Sequence, residues 1–309
     1  MIKSVRQIVC SSLILGGLLA WNVNAGDALW TTNYAQAQKD AAKTGKSLLM
    51  DFSGSDWCGW CIKLDEEVFA HDVFKEAVTK DFVPVLLDYP RDKSKIPADV
   101  QAQNERLMDK YAIAFKGYPT VILADAKGRP YATTGYQAGG PEAYLKHLAE
   151  FRQKGVEIAK YLKQAEAPDL KPLDRARLLD KAMDGVDLPI LVQFYGDIVD
   201  QIMVLDKDNK AGIKKKYELR LRAAEAEKAL ADRNPEKAIE LYEAVIRDFQ
   251  PTGEQAQALY FSLSEAYFGA RQMDKAKAGL DKALQAAPES QFASRIKMIV
   301  EKYFSEPSK

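Results

Sequence analysis

Apolar residues gather in short unbroken runs in the first half of the chain and at staggered helical spacing in the second. Residues 47–52, Ser-Leu-Leu-Met-Asp-Phe, form one such run between Gly45 and Gly54, the pattern of a buried strand. Cys61, Leu64 and Val68 then share one helical face, with Lys63, Glu66 and Glu67 elsewhere, so the segment after the strand is predicted to be a helix. A second apolar run covers residues 82–89. A helix is expected over 100–111, and a third strand over 117–123. Asp125-Ala126-Lys127-Gly128 reads as a hairpin turn into a fourth strand over 130–136. Residues 141–151 form a closing helix, with Pro141 suited to its first turn. The predicted order is strand–helix–strand–helix–strand–strand–helix.

From about Gln153 strand signals vanish and Ala, Lys, Glu and Leu dominate. Pro168, Pro172 and Pro189 punctuate the early part, and residues 206–210 read as a polar connection between helices. Near the end Tyr260, Leu263, Ser264 and Tyr267, followed by Ala276, Leu280, Ala283 and Pro288, fit tetratricopeptide spacing, although Ser264 and Leu280 replace its usual Gly and Phe. Ala238 and Tyr242, with Pro251 beyond, form a weaker upstream echo. Phe292, Ile296, Ile299 and Tyr303 mark a capping helix. This half is expected to be a compact all-α domain with tetratricopeptide-like helix pairs, serving either as a docking groove or as a structural extension.

The candidate chemistry lies in Trp57-Cys58-Gly59-Trp60-Cys61. Two cysteines three apart at the head of a helix can close a disulfide. The first then sits where unpaired N–H groups and the macrodipole favour its thiolate, and the second lies one turn deeper, placed to attack a mixed disulfide. A purely structural disulfide would close nearly the shortest loop possible and gain little. A zinc site would need two more ligands from His71 and His147, the only histidines, with no second CxxC. Haem attachment fails because Ile62 follows Cys61. His71, at the end of the active-site helix, and His147, in the closing helix, are expected to be capping or boundary residues.

This element order, the dithiol at the first helix and the proline of Gly-Tyr-Pro-Thr opening the third strand together resemble the thioredoxin superfamily over about residues 28–152, and in particular its secreted bacterial members. The resemblance implies an α/β thioredoxin-like fold, a central mixed sheet with flanking helices. It implies Cys58 as nucleophile and Cys61 as resolving cysteine, paired as the redox disulfide. It further implies Pro119 as the cis-proline facing them, with the Tyr118 backbone left free to pair with an extended substrate. Trp57 matches the aromatic that precedes the motif, and Trp60 is expected on the exposed rim, giving substrates apolar contact. Asp51 matches the family's buried acid, which helps deprotonate the resolving cysteine. It stands seven residues before Cys58 where six is usual, a change that flips a strand residue to the other face unless Ser53-Gly54-Ser55 absorbs it. Gly59-Trp60 carries no cation between the cysteines, which favours a stable disulfide and a reducing couple.

Residues 1–25 have the parts of a secretory signal: Lys3 and Arg6, an apolar stretch too short to span a bilayer, and Val23-Asn24-Ala25 as cleavage site. Export, most simply to a periplasm, is therefore expected, with Cys10 discarded and no stable membrane insertion. The formal charge is zero over 309 residues, and cleavage leaves the remainder slightly acidic, which argues against nucleic acid as a partner. Lys214-Lys215-Lys216 reads as a solvated helical face. The chain divides into a signal peptide (1–25), a thioredoxin-like domain (26–152) and a helical domain (153–309). The expected function is thiol–disulfide exchange, as reductase or isomerase, with protein substrates and an external electron donor or acceptor, and without metal or organic cofactor. The alternative is a scaffold whose helical domain docks a protein partner, the dithiol being only a redox gate.

Overall fold

The computed structural model describes residues 29–304; the signal assigned to residues 1–25, with Cys10, lies outside them. Four strands form one sheet in the order β2-β1-β3-β4: β1 (Ser47–Ser53), β2 (Phe82–Asp88), β3 (Thr120–Ala124) and β4 (Pro130–Thr134). β1 and β2 are parallel, which demands a crossover, and the segment carrying the dithiol supplies it. β3 runs antiparallel to both β1 and β4, completing a mixed sheet. β1 is central and almost wholly buried, as its unbroken apolar run requires. Pro84, which has no N–H to give a ladder, sits in edge strand β2. The segment before the first helix covers that edge through a bridge from Thr31 to Val85.

Two helical segments depart from the sequence reading. A first helix, α1 (Tyr34–Thr44), precedes β1; it is capped by the Asn33 side chain and closed by Gly45 at φ 71°. The single helix expected after β1 is instead α2 (Gly59–Leu64), a π turn (Asp65–Phe69) and α3 (Asp72–Val78). The π turn shifts the helical phase so that consecutive Val68 and Phe69 are both buried. His71 stands at the N-cap position of α3 without a side-chain capping bond. α4 (Ala98–Tyr111) follows β2. Phe52 meets Tyr89, Tyr111 and Phe115 on one face of the sheet, whereas Phe69, Phe74 and Tyr144 cluster on the other.

The closing helix, α5 (Gly140–Ala165), runs well past residue 152. Its far half keeps packing: Tyr131 of β4 lies where a Cβ on Gly155 would come within 2.7 Å. α6 (Pro172–Ala182), α7 (Leu188–Phe194), α8 (Gly196–Leu205) and α9 (Ile213–Ala231) follow, with Pro172 and Pro189 in first turns. They share the core of the sheet, which extends to Tyr217. Phe194 stacks on Tyr111 at 5.3 Å, Tyr195 donates its hydroxyl to the Pro130 carbonyl, and Gln193 donates to the Lys110 carbonyl. Within Lys214-Lys215-Lys216, Lys216 pairs with Asp180 of α6 at 2.8 Å.

Beyond α9 come α10 (Pro235–Phe249), α11 (Gly253–Gly269), α12 (Met273–Ala286) and α13 (Gln291–Phe304), built on two smaller cores. The hairpins α9–α10 and α11–α12 turn alike. Arg233 and Arg271 adopt left-handed φ of 58° and 60°, and the next N–H in each returns to a carbonyl five residues back at 2.9 Å, Asn234 to Ala229 and Gln272 to Tyr267. In the second hairpin a Cβ on Gly279 would lie 2.9 Å from that of Ser264, so the helices approach to backbone distance there.

Candidate active site

β1 delivers the chain into a tight loop whose end, Cys58, is the N-cap of α2. The Cys58 Sγ accepts from the Cys61 N–H at 3.2 Å, and the two residues are joined as a disulfide, with Cα atoms 5.2 Å apart. Both are largely buried. Gly54 is needed for this approach, because a Cβ there would lie 2.5 Å from the Trp57 indole. Trp57 is fixed further by donating its Nε1–H to the Tyr89 carbonyl at 2.8 Å, and the Arg91 guanidinium lies over its ring at 5.5 Å. Asp56 accepts from the Arg91 and Asp92 N–H groups, which hold its carboxyl down at about 2 and tie the neighbouring loop to the motif.

On one flank of the disulfide Trp57 meets the Tyr118 ring edge-on at 5.1 Å, and Tyr118 in turn packs on Phe115 at 4.9 Å. The Tyr118–Pro119 bond is cis. Thr120 holds this segment by accepting from the Lys116 N–H and donating to the Gly117 carbonyl. Gly135 lies against it, since a Cβ there would fall 2.9 Å from the Pro119 carbonyl oxygen.

On the other flank Trp60 is 58% exposed, its ring 5.2 Å from that of Tyr136. The Lys63 ammonium spans both rings, 5.3 Å from Trp60 and 5.0 Å from Tyr136. Tyr136 donates its hydroxyl to Glu67 of the π turn, which also pairs with Lys63 at 3.6 Å. Tyr136, Lys63, Glu67 and Gly135 were not picked out from the sequence. The glycine–aromatic pair just after the fourth strand was the one signal available.

Asp51 sits in mid-sheet between Leu86 of β2 and Val121 of β3. Phe52 faces the α4 side, so Asp51 faces the side that carries α2. The extra residue before Cys58 is thus taken up in the loop after β1. The side chain is buried, and its Oδ1 has no hydrogen-bond partner among the described residues. Burial, with smaller contributions from the Asp65 and Asp88 carboxylates, pushes its proton affinity up to about 8. His147 lies farther off, bonded to Thr134 and packed on Phe151.

Residues 34–152 match the model of a family described as a thioredoxin-like domain, and the chain belongs to that family. With a CxxC disulfide at the head of its active-site helix, it is a thiol–disulfide oxidoreductase. Among characterised relatives, the disulfide bond reductase DsbH of Chlamydia pneumoniae is 30% identical over 126 residues, which cover 41% of this chain and 74% of that protein. The thioredoxin-related protein DsbJ of the same organism is 31% identical over 132 residues, covering 41% of this chain but only 37% of its own. A solved structure of a DsbH oxidoreductase, 29% identical, aligns over 40% of this chain and 82% of its own with a TM-score of 0.37.

Proposed function

We propose that this protein is an exported reductase of protein disulfides, with Cys58 as nucleophile and Cys61 as resolving cysteine. The carrying observation is the Cys58–Cys61 disulfide at the N-terminus of α2, flanked by Trp57–Tyr118 and Trp60–Tyr136. The reduced Cys58 thiolate attacks one sulfur of a substrate disulfide, forming a mixed disulfide and releasing one substrate thiolate. Cys61, once deprotonated, attacks the Cys58 sulfur; the intramolecular disulfide closes and the second substrate thiolate leaves. Two electrons pass to the substrate, and an external dithiol donor restores the pair. Asp51 mostly keeps its own proton at neutral pH, but its ionised fraction, matched in proton affinity to a thiol, is suited to take the Cys61 proton, which is the role we give it. Pro119 and the Tyr118 backbone hold the substrate chain, with Trp57 and Trp60 as apolar rims. Export rests on the composition of residues 1–25.

The test is a Cys61→Ser variant expressed with its leader. It should accumulate mixed disulfides between Cys58 and exported proteins, absent when Cys58 is also replaced. Partners retained without Cys58, with no mixed disulfide, would mean instead that the helical half is the working part and the dithiol a gate.

A further inference from the structure

β4 is an edge strand: among the described residues it pairs with β3 alone, so one side of its backbone lacks a strand partner there. That side does not face flat surface. It forms the floor of a cleft of about 920 Å³, whose opposite wall belongs to the helical half. Leu188 and Pro189 at the start of α7 and Glu227 of α9 contribute to that wall, and Ile113 and Lys116 also line the cleft. Pro119 and Gly135 line the same cleft, and Tyr118, the residue before Pro119, meets the Trp57 ring of the dithiol motif at 5.1 Å. One end of the cleft therefore adjoins the aromatic flank of the disulfide.

Resting on the reductase reading above, we infer that this cleft receives the polypeptide flanking the substrate's disulfide, laid as an extended strand along the outer edge of β4. The substrate class is then an unfolded or locally extended chain, not a compact folded domain and not a small disulfide. Three features carry this. Beyond Pro130, whose carbonyl already accepts from Tyr195, an unpaired strand edge offers N–H and C=O groups that an extended backbone satisfies whatever its sequence. The walls mix apolar groups, Ile113, Leu188 and Pro189, with charges of both signs, Lys116 and Glu227, which suits varied side chains rather than one charge. A floor of five residues, Pro130–Thr134, is about 17 Å long at strand rise, enough for about four substrate residues.

The experiment uses the full-length protein, reduced beforehand, in single turnovers followed by the fluorescence of Trp57 and Trp60. The probes are a small aliphatic disulfide and synthetic peptide disulfides with two, four, six or eight Ala, Val and Ser residues on one side or the other. The second-order rate constant should rise about tenfold between two and six flanking residues on one of the two sides, equivalent to about 1.4 kcal/mol, and then level off. Pro189→Arg with Glu227→Arg, both exposed positions, should narrow the cleft and abolish the rise while leaving the small disulfide unaffected; that unchanged rate also reports an intact fold. A wild-type rate independent of flank length, or a rise that survives in the double variant, overturns the cleft proposal and leaves the reductase reading standing. Failure to oxidise with any probe overturns both. A double variant that changes sedimentation of the protein alone, with peptide kinetics unmoved, would give the cleft to a second copy of the chain and overturn the proposal as well.

Discussion

Replacing Asp51 by asparagine should shift the stability of the oxidised protein in the variant's favour by an amount that grows as pH rises from 4 to 9. The carboxyl is buried in mid-sheet with an unpartnered oxygen, and its proton affinity stands at about 8 against an ordinary 3.8. A raised acid makes its contribution in the protonated form. That contribution is complete below about 3.8, where both folded and unfolded chains hold the proton. It is lost steadily as pH rises towards 8, because the unfolded chain ionises and the folded one does not. Each tenfold difference in proton affinity is worth about 1.4 kcal/mol, so the native state forgoes on the order of 4 kcal/mol at pH 7 and somewhat more above pH 8.

Asparagine has no such titration, although its amide still lacks a partner, a pH-independent cost of about 1–3 kcal/mol. The informative quantity is therefore the growth of the difference with pH, not its value at one pH. Guanidinium unfolding of wild type and variant, both oxidised, should be followed by tryptophan fluorescence; Trp30, Trp57 and Trp60 all lie near the sheet. The difference should increase by several kcal/mol between pH 4 and pH 9, with most of the change below pH 8. A difference that stays flat across that range would falsify the buried, protonated carboxyl and with it the proton-transfer role. In the reduced variant, mixed disulfides on Cys58 should persist longer at neutral pH, while the first attack is little changed.

Other substitutions test the local packing. Gly54→Ala should push the Trp57 indole from its site and sever its bond to the Tyr89 carbonyl, costing about 1–2 kcal/mol and shifting the emission maximum; an unchanged spectrum would refute the packing. Gly128→Ala combines a left-handed φ of 78° with a Cβ 2.6 Å from the Tyr111 hydroxyl, and should lower unfolding stability by about 3 kcal/mol or more. Arg271→Gly relieves a left-handed arginine in the α11–α12 turn and should raise the midpoint of helical unfolding, by about 0.5–1 kcal/mol in far-UV circular dichroism. A fragment ending at residue 152 cuts α5 in its middle and removes Phe194 and Tyr195, so it should melt well below the full chain; equal melting would refute the shared core.

What could be read from the sequence divides along physical lines. β1, β2 and β3 announced themselves as unbroken apolar runs because a strand buried on both faces has no polar alternation to confuse with a helix. The dithiol was legible because spacing alone puts Cys58 and Cys61 one turn apart. α1 was not, since its buried face is Tyr34, Ala37 and Ala41, with little hydrophobic contrast, although Asn33 and Gly45 bracket it as caps. The extension of α5 was hidden by the composition change near Gln153, which marks the end of strands but not of the helix; Ile158 and Ala165 carry its buried stripe onward. Tyr136 could not be joined to Glu67 by any local pattern, because 69 residues separate them and only the hairpin brings them together. The cleft along β4 depends on α7 folding back over the sheet, a tertiary fact with no signature in either segment.

That fold-back bears on how the helical half can act. A module on a flexible tether would raise the effective concentration of a substrate without shaping it. Here α9 spans two cores: Ile213 and Tyr217 belong to the core of the sheet, and Leu219, Ala223 and Ala226 to that of the next hairpin. Arg220 of the same helix donates to the carbonyl of Val186, itself a residue of the cleft wall, at 2.8 Å. Swinging the wall away would expose Phe194 and Tyr195, at about 1.5–3 kcal/mol for each large apolar side chain, and would break the α9 contacts as well. A wall held this firmly does not act as a lid. On the cleft proposal it selects substrates without closing over them, and a partner seated on the distal hairpins would act on the site through α9 rather than by domain closure.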